Sequence, residues 1–201
     1  MGLKDIPTIE GQTPLDEDEK DALLLDTVTT RKELDEVEEQ NIQKAIQWTL
    51  TRRRQFTLDE ILSEAFVREL HRRMYGDVWG WAGEFRTTDK NIGVDKHQIG
   101  ISLRMLLDDC RYWIENNVYS PDEIAIRFSH RIVAIHCFPN GNGRHSRLIA
   151  DILIEKIFQR EVFTWGGGNL VAAGDIRTAY LQAIRKADQE EYEPLIRFSR
   201  S

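Results

Sequence analysis

Cysteine is scarce in this chain of 201 residues: only Cys110 and Cys137 are present, and they form no CxxC pair. A disulfide framework is therefore excluded as the organising device. Long apolar runs are also lacking. Within the first 27 residues the only cluster of large apolar side chains is Leu23 to Leu25, and nothing approaches the ~20 residues of a membrane span. The opening MGLKDIPTIEGQTPLDEDEK has no apolar segment after its charges, so it does not read as a signal peptide, and the expected location is cytoplasmic. Basic charge is in deficit, with 27 Lys and Arg against 34 Asp and Glu and a net charge of −7. General nucleic-acid binding, which needs a basic face, is not expected, nor is a membrane partner. No internal repeat is visible. What is present, 41% hydrophobic and 30% charged residues, describes an ordinary globular chain. At this length roughly 70% of the unfolded surface can be buried, enough for one core.

The pattern along the chain is mostly helical. Residues 1–27 read as an extended arm that packs at one point, the Leu23 to Leu25 patch. From Thr29 apolar residues recur at threes and fours through Leu50, and the segment ends in Arg52, Arg53 and Arg54, read as a solvated helix end. Thr57 with Glu60 forms a capping box for a helix to Gly76. Val78 to Val94, with Gly80, Gly83 and Gly93 and the polar DKN turn, reads as a short β-hairpin. Helices follow from His97 to Asn117 and from Ser120, where Pro121 and Glu123 complete a strong start signal. Another runs from Arg144 to Arg160. The TWGGGN stretch lacks the Gly-Lys-Ser/Thr of a phosphate loop and reads as a turn. A last long helix is capped by Asp175, and Pro194 opens a short one.

Between two of these helices lies HCFPNGNGRHSR, His136 to Arg147. Gly141 and Gly143 free the backbone for close approach to a ligand, and the helix that follows begins with unpaired N–H groups that attract anions. Arg144 and Arg147, three apart, share a face on which guanidinium forks suit phosphate oxygens. A histidine beside such a cradle suggests proton transfer coupled to phosphoryl chemistry.

These residues resemble the signature of Fic-domain (Fic/Doc) proteins. His136, Phe138, Gly141, Asn142, Gly143, Arg144 and Arg147 match its fixed positions in order and spacing. ELDEVEEQNI, WAGEFRTTDKNIGV and AYLQAIRKADQEEYEPLIRF extend the likeness from about residue 14 onward, to a bacterial branch called mobile mystery protein B. The resemblance implies a mostly α Fic-type fold over residues 28–201 with a small β-hairpin flap. It implies transfer of AMP from ATP to a Ser, Thr or Tyr hydroxyl of a target protein. Transfer of another nucleotide or phosphate-linked group, or a non-catalytic nucleotide-binding module of toxin-like or regulatory kind, stays open as the alternative. His136 would be the general base. Gly141, Asn142 and Gly143 would form the anion hole, Arg147 would hold the terminal phosphates, and Arg144 would be partly structural. Phe138 would anchor the loop.

The chain departs from the family pattern at two positions. Asn140 stands where many relatives carry the Asp or Glu that holds magnesium, which puts the metal in doubt, and Cys137 stands where proline is common. Thr87, Thr88, Asn91, Ile92 and Gly93 would belong to the flap that pairs with the target. Ile92 would press on the target side chain or face the core as a strand residue. The branch name implies a helix-turn-helix companion protein. Finally, Thr29 to Glu33 matches all but the last position of an inhibitory helix motif, where Leu34 replaces Gly or Asn. Glu33 is expected either against Arg147 or as a solvated glutamate behind a capping threonine.

Overall fold

The computed structural model describes residues 14–51, 54–167, 170 and 174–201. The elements that carry the site are α1 (Glu17–Lys20), α2 (Arg31–Ile46), α3 (Leu58–Ile61), α4 (Glu64–Tyr75), α5 (Ile99–Glu115), α6 (Pro121–Ile135), α7 (Asn142–Ile152), α8 (Asp175–Ala187) and α9 (Glu193–Ser199). Helix α6 buries Ile124, Ala125, Ile126, Phe128, Ile132 and Ile135, a wider face than a surface helix shows. It is accordingly central, packed between α5 and α7 and touching α9. Each such side chain fully removed from water contributes about 1.5–3 kcal/mol. Helix α2 lies on α4, α4 meets α7, and α8 pairs with α9, so the α6–α7 turn sits where these layers converge. Among the described residues no helix is long and apolar enough to cross a membrane.

Several expectations are corrected. Over its described residues, 14–27, the arm is not simply extended and packs at more than one point. It holds the turn α1, Leu23 bridges Trp79, Leu24 N–H bonds Val78 C=O, and Trp81 Nε1–H donates to the Glu19 carbonyl. The helix expected from Thr57 to Gly76 breaks at Leu62, because Ser63 is itself an N-cap whose hydroxyl accepts from Phe66 N–H. Thr30 rather than Thr29 caps α2, which continues past Ile46 as a π-helical stretch, Gln47–Thr51. Helix α7 starts at Asn142 and passes into a second π-helical stretch, Leu153–Ile157. Arg52 and Arg53, and Gly168 and Asn169 of the glycine turn, lie outside the described residues.

The hairpin is the largest difference. Among the described residues of 83–95 there is no strand pair. The guanidinium of Arg86 occupies the middle of the loop, donating to the carbonyls of Thr88 and Val94. The N–H groups of Arg86 and Val94 bond instead to Cys137 and Ile135, at the end of α6. With its inward backbone groups taken by a side chain and by α6, the loop has nothing left to form a ladder.

Candidate active site

Helix α6 ends at His136, whose backbone is left-handed at φ 58 and ψ 61. A non-glycine residue pays about 1–2 kcal/mol for that conformation. Arg86 holds it there: its Nε–H donates to the His136 carbonyl at 2.6 Å. Gly93 lies close enough that an added Cβ would come within 2.7 Å of the His136 Cβ. The imidazole is 4% exposed. Burial, then the nearby Arg86 charge, pushes it down to about 4, against an opposing bond with the Val133 backbone. It is therefore neutral at neutral pH and able to accept a proton.

The loop after His136 is closed from within. Asn142 accepts the Phe138 N–H at 3.0 Å on its amide oxygen and donates its Nδ2–H to the Phe138 carbonyl at 2.8 Å. The Asn142 side chain thus holds the loop shut at the start of α7. Phe138 is buried and stacks on His71 with ring centroids 3.7 Å apart. Gly141 takes φ +78 against Tyr75, where a Cβ would lie 2.5 Å from the ring. At Gly143 a Cβ would meet only Arg147 Nη1 at 3.7 Å, so this glycine is not required sterically.

The loop opens on a cavity of about 490 Å³ whose wall includes Ile92, Gly93, His136, Asn140 to Arg144 and Arg147. Arg31 of α2 and Arg177, Tyr180, Leu181 and Ile184 of α8 complete it. Four arginines, Arg31, Arg144, Arg147 and Arg177, line it together with the carboxylate of Asp188, which accepts from His130 Nε2 at 2.8 Å. The arginines differ in kind. Arg144 forms a buried pair with Glu38 at 2.6 Å, and Glu38 also accepts from Trp79 Nε1–H. Arg147 lies over the Tyr180 ring at 5.4 Å. Arg31 pairs with Asp35 at 2.8 Å, so two of the four arginines already carry a carboxylate partner outside the wall.

A protein-built divalent-metal site does not fit these residues. Among the described residues no three His, Cys, Asp or Glu side chains converge. The Asn140 amide oxygen accepts the Gly141 N–H at 2.5 Å, and magnesium favours carboxylate ligands. His145 lies apart, bonded to the Val67 carbonyl.

Of the expected flap residues, Ile92 and Gly93 reach the cavity mouth. Ile92 is 47% exposed, which removes the core-facing reading. Thr87 and Asn91 are exposed; the Thr88 hydroxyl bonds Asp16 at 2.8 Å, beside Lys90, which pairs with Asp16 and Glu19. Glu33 is exposed, and its carboxylate accepts from the N–H groups of Thr29 and Thr30, which hold it below the usual carboxylate range. It completes the α2 cap and is not on the wall that Arg147 shares. Glu38, His71 and Arg86 carry no local signal, since their partners Trp79, Asn140 and His136 lie tens of residues away, and Arg31, paired locally with Asp35, reaches the cavity only through the fold.

Solved structures define the class first. The chain superposes on the BepC protein of Bartonella tribocorum, solved with bound AMPPNP, at TM-score 0.65 and 16% identity, covering 92% of this chain and 97% of that one. It superposes on a Fic domain containing signaling protein from Bacteroides thetaiotaomicron at TM-score 0.59 and 18% identity, covering 92% and 75%. The fold is a Fic fold. Residues 61–154 match the Fic/DOC family model. Proteins named protein adenylyltransferase Fic from Drosophila grimshawi and Aedes aegypti are both 28% identical, over 159 and 160 residues, 77% of this chain. The chain spans only 30% and 29% of those relatives' length.

Proposed function

We propose that the protein is an adenylyltransferase that moves AMP from ATP to a Ser, Thr or Tyr hydroxyl of a target protein. The observation that carries this reading is the joining, in one arginine-lined cavity, of a buried neutral imidazole and a glycine loop at a helix N-terminus. The His136 imidazole takes the hydroxyl proton as the target oxygen attacks the α-phosphorus. The new O–P bond forms as the bond to pyrophosphate breaks, and pyrophosphate leaves with that electron pair. Backbone N–H groups from Gly141 to Gly143 and the Arg147 guanidinium hold the phosphate oxygens as charge moves between them. Arg144, spent on Glu38, steadies α7.

Thr87, Thr88, Asn91, Ile92 and Gly93 would receive the target beside the cavity mouth, with Ile92 against its side chain. Residues 28–201 act as one unit in this reading, supported by the core that runs from Val28 to Leu195. Toward magnesium, Asn140 would offer only a neutral amide oxygen, and the nucleotide phosphates would have to supply most of the ligands. An inhibitory Glu33 would have to release the Thr29 and Thr30 amides. A helix-turn-helix companion belongs to the same reading and is checked by co-purification.

The test uses ATP labelled on the α-phosphate with wild type, His136→Ala and Glu33→Gly in a bacterial lysate. Labelled protein that disappears with His136→Ala supports the reading; increased label with Glu33→Gly supports the inhibitory role, and unchanged label removes it. Neutral Asn140 favours a second reading, nucleotide binding without turnover. Bound ATP with no label from any variant would select it, and label of a different added mass would select another transferred group.

A further inference from the structure

His71 stands outside the signature and outside the cavity wall, fully buried on α4. Its Nδ1 accepts the Gly83 N–H at 3.0 Å. A neutral ring with Nδ1 as acceptor carries its proton on Nε2, so Nε2–H is the donor to the Asn140 carbonyl, also at 3.0 Å. Burial and the neighbouring His145 keep the ring neutral.

A trans peptide is planar, with C=O and N–H pointing opposite ways. Once the Asn140 carbonyl is drawn inward to His71, the Gly141 N–H must point away from it. On that side lies the cavity wall, and the Asn140 side-chain oxygen already accepts this N–H at 2.5 Å. An amide oxygen there occupies the position an anionic oxygen would take. Reversing the peptide would turn the carbonyl toward the ligand and replace attraction with repulsion. Gly141 is free to adopt either orientation, having no Cβ, so something else must choose.

We infer that His71 is a positioning residue: its Nε2–H, oriented by the Gly83 amide and by stacking on Phe138, sets the Asn140–Gly141 peptide so that its N–H serves phosphate. The inference rests on the proposed function, because it requires that this loop receive phosphate. It also ties the segment leading into Arg86 to the anion loop, through Gly83.

Two substitutions separate the two ends of the ring. In His71→Gln the side-chain amide nitrogen reaches the Nε2 position and can still donate to Asn140. In His71→Asn the shorter amide can still accept from Gly83 but falls short of Asn140. The probe is inorganic tripolyphosphate without metal, followed by calorimetry and by the Gly141 amide resonance, with melting temperature recorded for each variant. Wild type should bind tripolyphosphate with a shift of the Gly141 amide, His71→Gln should stay within about threefold, and His71→Asn should weaken by about tenfold, as for one lost buried hydrogen bond. Nitrogen NMR on wild type alone should show the Nε2–H tautomer.

The Nδ1–H tautomer, or equal affinity in a folded His71→Asn, overturns the inference and leaves the proposed function standing. If His71→Asn does not fold, the tautomer and the Gly141 shift decide. Wild type that binds no tripolyphosphate overturns both.

Discussion

At the scale of single residues, the site depends on backbone conformations that ordinary side chains avoid, and two neighbouring glycines should therefore behave differently. Gly141→Ala combines a left-handed backbone with a contact inside the Tyr75 ring, and should lower stability by about 2 kcal/mol or more. Gly143→Ala has ordinary room and should fold normally while placing a methyl on the cavity wall. Thermal melts of both variants, paired with nucleotide titration, check the contrast. Arg86 offers a second test. It holds the His136 carbonyl and its charge helps keep the imidazole low, so the transfer rate should be flat near neutrality and fall as pH drops toward about 4, where His136 protonates. Arg86→Met should move that acidic limb to higher pH and Arg86→Lys should leave it nearer wild type, as a pH–rate profile would read.

At the scale of elements, α2 and α7 are joined by Glu38 and Arg144, both largely buried. Removing one member of a buried pair strands the other, so Glu38→Ala should cost about 3–5 kcal/mol by denaturant melt, more than the exposed cap residue Glu33, whose loss should barely move the midpoint. This difference shows what was legible in advance. The signature loop could be read because its parts lie within a dozen residues, and so could the α6 start at Ser120, where cap, proline and acid are adjacent. The break at Ser63 also had a local signal, a serine three residues before Phe66, but the Thr57 capping box next to it masked the second start. The hairpin was misread because β-branched residues around a polar turn report strand preference only. They carry no sign that an arginine side chain will take the carbonyls a ladder needs. Glu38 lies within ELDEVEEQNI with no local mark of its own, and it acquires its role only when Arg144 is brought to it by the fold.

For the whole molecule, buried titratable groups set how stability responds to pH. His136 and His145 are pushed down to about 4 and His71 well below the usual imidazole range, all mainly by burial. The unfolded chain binds their protons near 6.5, so this stability is full above that pH and is lost as pH falls through 6.5 toward 4. Asp151 opposes them. Burial raises its carboxyl to about 7, so its contribution is full below the unfolded value of 3.8 and is lost as pH rises through 7. Three groups against one predict a net fall in melting temperature on acidification from pH 7 to 4.5. Asp151→Asn can keep the bonds from Phe163 N–H and Trp165 Nε1–H, and it should remove the fall in stability that Asp151 brings to wild type as pH rises from 3.8 to about 7. The same chain carries a net charge of −7 while its one described cavity of the site is walled by four arginines. A phosphate-bearing ligand that meets this acidic body finds guanidinium groups gathered on the cavity wall, and added salt should weaken their pull beyond about a 10 Å screening length while leaving the docked geometry as it was.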